Sequence, residues 1–202
     1  MKMMSMAPNR HVLVPIATGT EEIEAVTIMD TLVRGGATVT CASVEDSITV
    51  TCSRGIKLTA DMSIAEASHA SYDLIALPGG MPGAERLRDN SVLKDMVLAA
   101  HEDDNKVVAA ICAAPAVILK KWGVIDDNTP STCYPAPAFK EALSTWQADA
   151  VVQSGQVVTS QGPGTAMAFS IKLIEVLFGR DKAIAVGEEM LLQPQQPKGN
   201  VE

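Results

Sequence analysis

Short apolar runs alternate with segments of helical period along most of the chain. His11–Ala17 (HVLVPIA), Tyr72–Leu77 (YDLIAL) and Val107–Ile111 (VVAAI) are runs of the kind buried on both faces of a parallel sheet, and Ala37–Ser43 reads as a further strand. Between the first two strands, Ala25, Ile28, Met29, Leu32 and Val33 recur at helical spacing until Gly35-Gly36 stops the element, and Thr18 to Glu21 fits an S/T-x-x-E capping box before it. Ser47–Cys52 and Ile56–Leu58 flank Ser53-Arg54-Gly55 as a hairpin or bent edge pair, and Ser63–Ser68 is a short helical or loop connection. Pro82–Leu87 and Val92–His101 read as helices. Asp126 to Pro137 is a loop or short edge strand, rich in proline. A second hairpin is expected from Ala150–Gln153 and Val157–Ser160 around Ser154-Gly155, then a long helix over Ala166–Phe178 and a final one over Lys182–Leu192. Alternation of this kind predicts an α/β doubly wound sandwich, mostly parallel, with helices on both faces. Flexible tails are expected over residues 1–10 and 193–202, leaving a core from about residue 11 to 192.

The period changes most abruptly at Cys112. An apolar strand ends there, small residues follow, and Pro115 opens a helix carrying Ala116, Val117, Ile118 and Leu119, then Lys120 and Lys121, before Gly123. A cysteine on a tight strand-to-helix turn sits as the nucleophile of an elbow does, at the carboxyl end of the sheet and facing a helix amino terminus. The free N–H groups there are expected to favour a thiolate. The alternative is a buried structural cysteine, a common fate of free thiols. Two other stretches carry chemistry. Glu21, Glu22 and Glu24 crowd the first turns of the first helix, where they either complement its dipole or supply a buried acid–base carboxyl. Periodicity does not choose among them, although Glu24 lies beside the apolar stripe. Pro78-Gly79-Gly80 directly ends a strand, where backbone N–H groups can approach a ligand, or where the chain simply turns.

Composition narrows the functions. With 202 residues, 47% hydrophobic, and no linker-like stretch, one domain is expected. A net charge of −8 without a Lys/Arg cluster argues against nucleic acid, and no apolar stretch reaches the roughly 18 residues of a membrane span. No signal-peptide core is present at the start, so a soluble, cytoplasmic protein is expected. Cys41, Cys52, Cys112 and Cys133 form no C-x-x-C pair and do not cluster with His11, His69 or His101. Neither a zinc site nor a disulfide framework is suggested, and reduced thiols are expected.

With these residues in hand the chain resembles the DJ-1/ThiJ/PfpI superfamily, in particular the DJ-1 and YajL branch and its plant and algal members. The resemblance runs from about Val12 to Leu192. It rests on EEIE at Glu21–Glu24, CSRG at Cys52–Gly55, LPGG at Leu77–Gly80, AICAAP at Ala110–Pro115 and TSQGPGT at Thr159–Thr165. It implies a flavodoxin-like sheet and a homodimer joined through the first helix. It also implies Cys112 as reactive cysteine and Glu24 as its partner, with main-chain donors of Gly79, Gly80 and Ala113 around an anion or oxyanion pocket and Arg34 and Arg54 nearby. Tyr134 stands where animal members carry a histidine before a proline, so no Cys–His dyad is implied. Ala113 stands where protease-like relatives have a histidine, which disfavours peptidase activity, and no histidine follows His101 to serve amidotransferase chemistry. The implied activity is a glyoxalase needing no cofactor, metal or glutathione, turning small dicarbonyls into hydroxy acids, with protein deglycase activity as an extension. The other class implied is a redox sensor or redox-regulated chaperone acting through oxidation of Cys112, with the organelle, if the cell is eukaryotic, left open.

Overall fold

The computed structural model describes residues 9–192, so the tails expected at residues 1–8 and 193–202 lie outside the described residues. Asn9 and Arg10, expected with the flexible start, are held: the Arg10 guanidinium donates to Asp73 at 2.7 Å.

The expected elements appear in order, joined by a short edge strand at Met62–Ser63 and a one-turn helix at Pro137–Lys140 that were not expected, and the last helix begins and ends earlier than expected. The series runs β1 (His11–Ile16), α1 (Glu22–Gly35), β2 (Thr38–Ser43), β3 (Thr49–Thr51), β4 (Lys57–Thr59), β5 (Met62–Ser63), α2 (Ile64–Ala67), β6 (Leu74–Leu77), α3 (Gly83–Arg88), α4 (Ser91–His101) and β7 (Val107–Ile111). A π-helical turn (Pro115–Leu119) then runs into α5 (Lys120–Trp122), followed by α6 (Pro137–Lys140), β8 (Val151–Ser154), β9 (Val157–Ser160), a 3₁₀ turn (Pro163–Thr165), α7 (Ala166–Phe178) and α8 (Arg180–Glu189). Seven strands form one sheet in the order β5-β2-β1-β6-β7-β9-β8, parallel except for the β8–β9 hairpin. This is the flavodoxin-like doubly wound arrangement, with ligands expected outside the carboxyl ends of the strands.

The central strands β1, β6 and β7 are buried almost throughout, which is why they read as unbroken apolar runs. Helices α1, α7 and α8 pack together on one face, and α2, α3, α4 and the π turn on the other. The α1–α7 contact is close because Gly35 has no side chain: a Cβ there would meet Ile174 Cγ1 at 2.9 Å. Gly36 then takes φ of 98° and its N–H bonds back to Leu32 and Val33 carbonyls, closing the helix.

Two local expectations are corrected. The cap of α1 is Glu21, whose carboxylate accepts the Glu24 N–H at 2.8 Å, and not a Thr18 capping box. Thr18 is drawn instead into the turn, its N–H donating to Glu45, while the Thr20 hydroxyl accepts the Ala17 N–H. The helix after Cys112 opens as a π turn, in which the Lys120 N–H reaches five residues back to the Pro115 carbonyl. The proline-rich stretch from Asp126 to Pro137 is a loop with a single isolated bridge, Ser131 to Trp146.

Candidate active site

At the carboxyl end of β7 the chain turns at Cys112 with φ of 66°, one of two described non-glycine residues with positive φ. A side chain in the left-handed region is strained, and the surroundings hold it there: the Cys112 N–H donates to the Ser160 carbonyl at 3.0 Å and its carbonyl accepts the Tyr134 N–H at 2.7 Å. The elbow is enclosed from the neighbouring strand end as well. A Cβ on Gly79 would lie 2.6 Å from Cys112 Cβ and 2.9 Å from the Ile111 carbonyl oxygen, so only glycine fits. Gly80 takes φ of 86° and sits equally close to the backbone of Gly19 and Glu21.

The three glutamates point three ways. Glu21 caps its own helix. Glu22 turns to the β3–β4 hairpin, accepting from the Ser53 hydroxyl at 2.9 Å and the Arg54 N–H at 2.9 Å, and these bonds offset its partial burial to hold its carboxyl below the usual range. Glu24 turns inward, fully buried, and its Oε2 accepts the Gly79 N–H at 2.8 Å. Oε1 is buried with no well-formed partner, and the Cys112 thiol lies within hydrogen-bonding reach of the carboxyl. Burial, with a contribution from the nearby Glu21 charge, raises the Glu24 pKa from its ordinary 4.5 to about 7, against the opposing bonds from Gly79 and Cys112. At neutral pH this carboxyl can therefore either take or give a proton.

Two expectations about the donors and the thiol change here. The Gly79 N–H is spent on Glu24, which leaves Gly80 and Ala113 as the main-chain donors facing the sulfur. Those two N–H groups favour a thiolate, but burial and the adjacent Glu24 charge outweigh them and push the Cys112 thiol up to about 12. A helix terminus alone thus does not ionise this cysteine. The other thiols are raised too, Cys41 to about 12, and Cys52 and Cys133 to about 11, each mainly by burial.

The structure gathers Cys112, Glu24, Gly79, Gly80 and Ala113, and brings Tyr134 alongside through its backbone. It does not gather the arginines. Arg34 lies ten residues beyond Glu24, about 15 Å along the helix, and its guanidinium bonds Asp30 at 3.2 Å and Glu189 at 3.5 Å. Arg54 joins the site only through its N–H on Glu22, its side chain being exposed on the hairpin. The hairpin clamp by Glu22 was missed by sequence reasoning, although a signal existed: positions 22 and 24 are about 200° apart on a helix and so face opposite ways. Two clefts of about 450 and 460 Å³ lie away from Cys112, the first at the opposite end of β7 and β9 between His101, Asp104 and Gln156. Among the described residues no group of three or more His, Cys, Asp or Glu side chains could hold a metal, and no helix is long and apolar enough to cross a membrane.

A mostly parallel sheet with an elbow cysteine beside a buried glutamate at its carboxyl edge places the protein in the doubly wound α/β class. The DJ-1/PfpI family model matches residues 10–176, and the chain belongs to that family. It is similar to Protein DJ-1 homolog A of Arabidopsis thaliana, 46% identical over 92% of the chain and 47% of that protein, so it spans about half the length of this relative. It is also similar to the solved structure of oxidized Toxoplasma gondii DJ-1, with a TM-score of 0.87 and 42% identity over 92% of this chain and all of that one. A third relative, 34% identical over 80% of the chain and 85% of its own length, is the glutathione-independent glyoxalase DJR-1.2 of Caenorhabditis elegans.

Proposed function

We propose that this protein is a cofactor-independent glyoxalase that converts methylglyoxal or glyoxal to lactate or glycolate. The observation that carries the reading is the Glu24 carboxyl, buried beside the Cys112 thiol and titrating near neutrality. Glu24 takes the thiol proton as the sulfur adds to the aldehyde carbon, and the Gly80 and Ala113 N–H groups stabilise the negative charge that develops. The carboxyl returns that proton to the alkoxide, giving a hemithioacetal, and, ionised again, moves a proton from the aldehyde-derived carbon to its neighbour through an enediol, leaving a thioester. Water cleaves the thioester to the hydroxy acid and restores the thiol. Atoms balance as dicarbonyl plus water, and no electron acceptor is needed. The name of the Caenorhabditis relative supports this reading, and the same thiol and carboxyl would serve deglycase chemistry on carbonyl adducts of proteins.

A second reading, redox sensing through Cys112, is favoured by the same geometry, because a protonated Glu24 can donate to a sulfinate oxygen as well as return a proton to substrate. We further read the protein as a cytoplasmic homodimer joined through α1, where Ile23, Val26 and Val33 are 55%, 44% and 56% exposed along one stripe. The deciding experiment is lactate formation from methylglyoxal by metal-free protein without glutathione. Turnover is the expected result. Selective oxidation of Cys112 by peroxide with no turnover would overturn the enzymatic reading in favour of the sensor.

A further inference from the structure

We propose that Thr165 is a positioning residue whose hydroxyl, at the entry to α7, holds the Cys112 elbow in its left-handed conformation. For its kinetic consequence the proposal rests on the glyoxalase reading. Thr165 is the cap residue of α7, where a threonine ordinarily turns its hydroxyl to accept an N–H of its own helix. Here the side chain makes no such bond. It turns back to the loop before it, accepting the Gln161 N–H at 3.2 Å and the Gly162 N–H at 3.0 Å, and it lies 2.7 Å from the Ser160 hydroxyl. That hydroxyl is 2.7 Å from the Ala150 carbonyl, which can only accept, so Ser160 donates there. The Thr165 proton is left for the Ser160 oxygen, with the Gly162 carbonyl at 3.0 Å as its other acceptor. One hydroxyl thus ties down three successive residues, Ser160 to Gly162.

Both hydrogen bonds on the Cys112 backbone run back to this segment. The Cys112 N–H donates to the Ser160 carbonyl at 3.0 Å, and the Cys112 carbonyl accepts the Tyr134 N–H. Two residues before Tyr134, the Thr132 N–H donates to the Thr159 hydroxyl at 2.9 Å, and the Thr132 hydroxyl accepts from the Gln161 side chain at 3.3 Å. A cysteine at φ of 66° keeps that conformation only while its neighbours impose it. Loosening Ser160 to Gly162 lets the turn relax, and this carries the sulfur away from the Glu24 carboxyl and from the Gly80 and Ala113 N–H groups. Thr165 acts through the backbone, without touching substrate.

The test replaces Thr165 by Val, which keeps the shape and removes the hydroxyl, and by Ser, which keeps the hydroxyl. Thr165→Val should lower kcat for methylglyoxal roughly ten- to a hundredfold with KM little changed, because a displaced sulfur costs chemistry more than binding. Thr165→Ser should restore most of that loss. The acid limb of the rate, set by Glu24, should move up by roughly half a unit to one unit in Thr165→Val, because the thiol that helps to hold the carboxylate has swung away. A variant that was merely less stable would keep the limb in place. Amide exchange followed by NMR reads the brace without turnover: the Cys112 N–H should exchange roughly three- to tenfold faster in Thr165→Val, measured against Ala109 and Ala110 of the same strand. Should Thr165→Val not fold, Ser160→Ala removes the other member of the hydroxyl pair and carries the same readings. An acid limb that stays in place, a Cys112 exchange ratio that does not change, or a Thr165→Ser variant as impaired as Thr165→Val overturns the proposal. No turnover by wild type overturns the glyoxalase reading alone, and the exchange ratio then decides the role of Thr165.

Discussion

Replacing Glu24 by Gln separates the two jobs of the buried carboxyl, because the amide keeps the shape and the acceptor for the Gly79 N–H but cannot hold or release a proton. In the fold the carboxyl titrates near 7 in place of 4.5, chiefly because burial penalises its charge. A group whose folded pKa is raised contributes stability that is fully present below the unfolded value, and that is lost as pH rises through the folded one. Here the loss runs between pH 4.5 and about 7 and then levels off. At about 1.4 kcal/mol per pH unit, roughly two and a half units amount to about 3 kcal/mol of unfolding free energy. Glu24→Gln should therefore match the wild type at pH 4.5 to within about 1 kcal/mol and exceed it by up to about 3 kcal/mol at pH 8.5. Urea unfolding of both proteins at one fixed concentration and both pH values measures this, and other titrating groups cancel in the difference. The same variant should lose roughly 10²- to 10⁴-fold in turnover, as when a general acid–base group is removed. The wild-type rate should rise on an acid limb near pH 7, where Glu24 becomes able to accept the thiol proton. A stability difference independent of pH, or a Gln variant that keeps its activity, would refute the assignment of Glu24 as the buried proton carrier.

The close approach at the elbow makes a second case: Gly79→Ala places a methyl 2.6 Å from Cys112 Cβ, and should cost about 1–3 kcal/mol in denaturant unfolding and roughly 10²-fold in turnover by displacing the sulfur. Wild-type activity in that variant would mean the loop yields, and that the elbow does not depend on Gly79. For the assembly, sedimentation at low micromolar protein should show a dimer of the 21.3 kDa chain, and Val26→Asp should shift it toward monomer. A wild type that sediments as monomer would remove α1 as an interface.

Much of this molecule is decided locally and can be read along the chain. The unbroken apolar runs of β1, β6 and β7, the αL stop at Gly36, the β8–β9 hairpin and the elbow at Cys112 follow from residue-level rules of burial, backbone sterics and period, and each lies close to where those rules place it. The family was legible too, since five motif blocks occur in order along the chain; four of them lie at the carboxyl ends of β1, β6, β7 and β9, and the fifth is on the β3–β4 turn. Other features were decided only when distant segments met. Which glutamate faces the thiol depends on how α1 is rotated against the sheet, and this sends Glu22 to the hairpin and Glu24 inward. The Gly79 N–H became a ligand of Glu24, 55 residues away, and so stopped being a free donor. Arg34 is held at the far end of α1 by Asp30 and Glu189, a result of helix length and not of motif. The proton affinity of Cys112 shows the division most clearly. Sequence supplies the turn and its N–H groups, which lower a thiol pKa. Tertiary packing supplies the desolvation and the neighbouring carboxyl, which raise it by more, because a charge loses far more solvation in the interior than two N–H groups return.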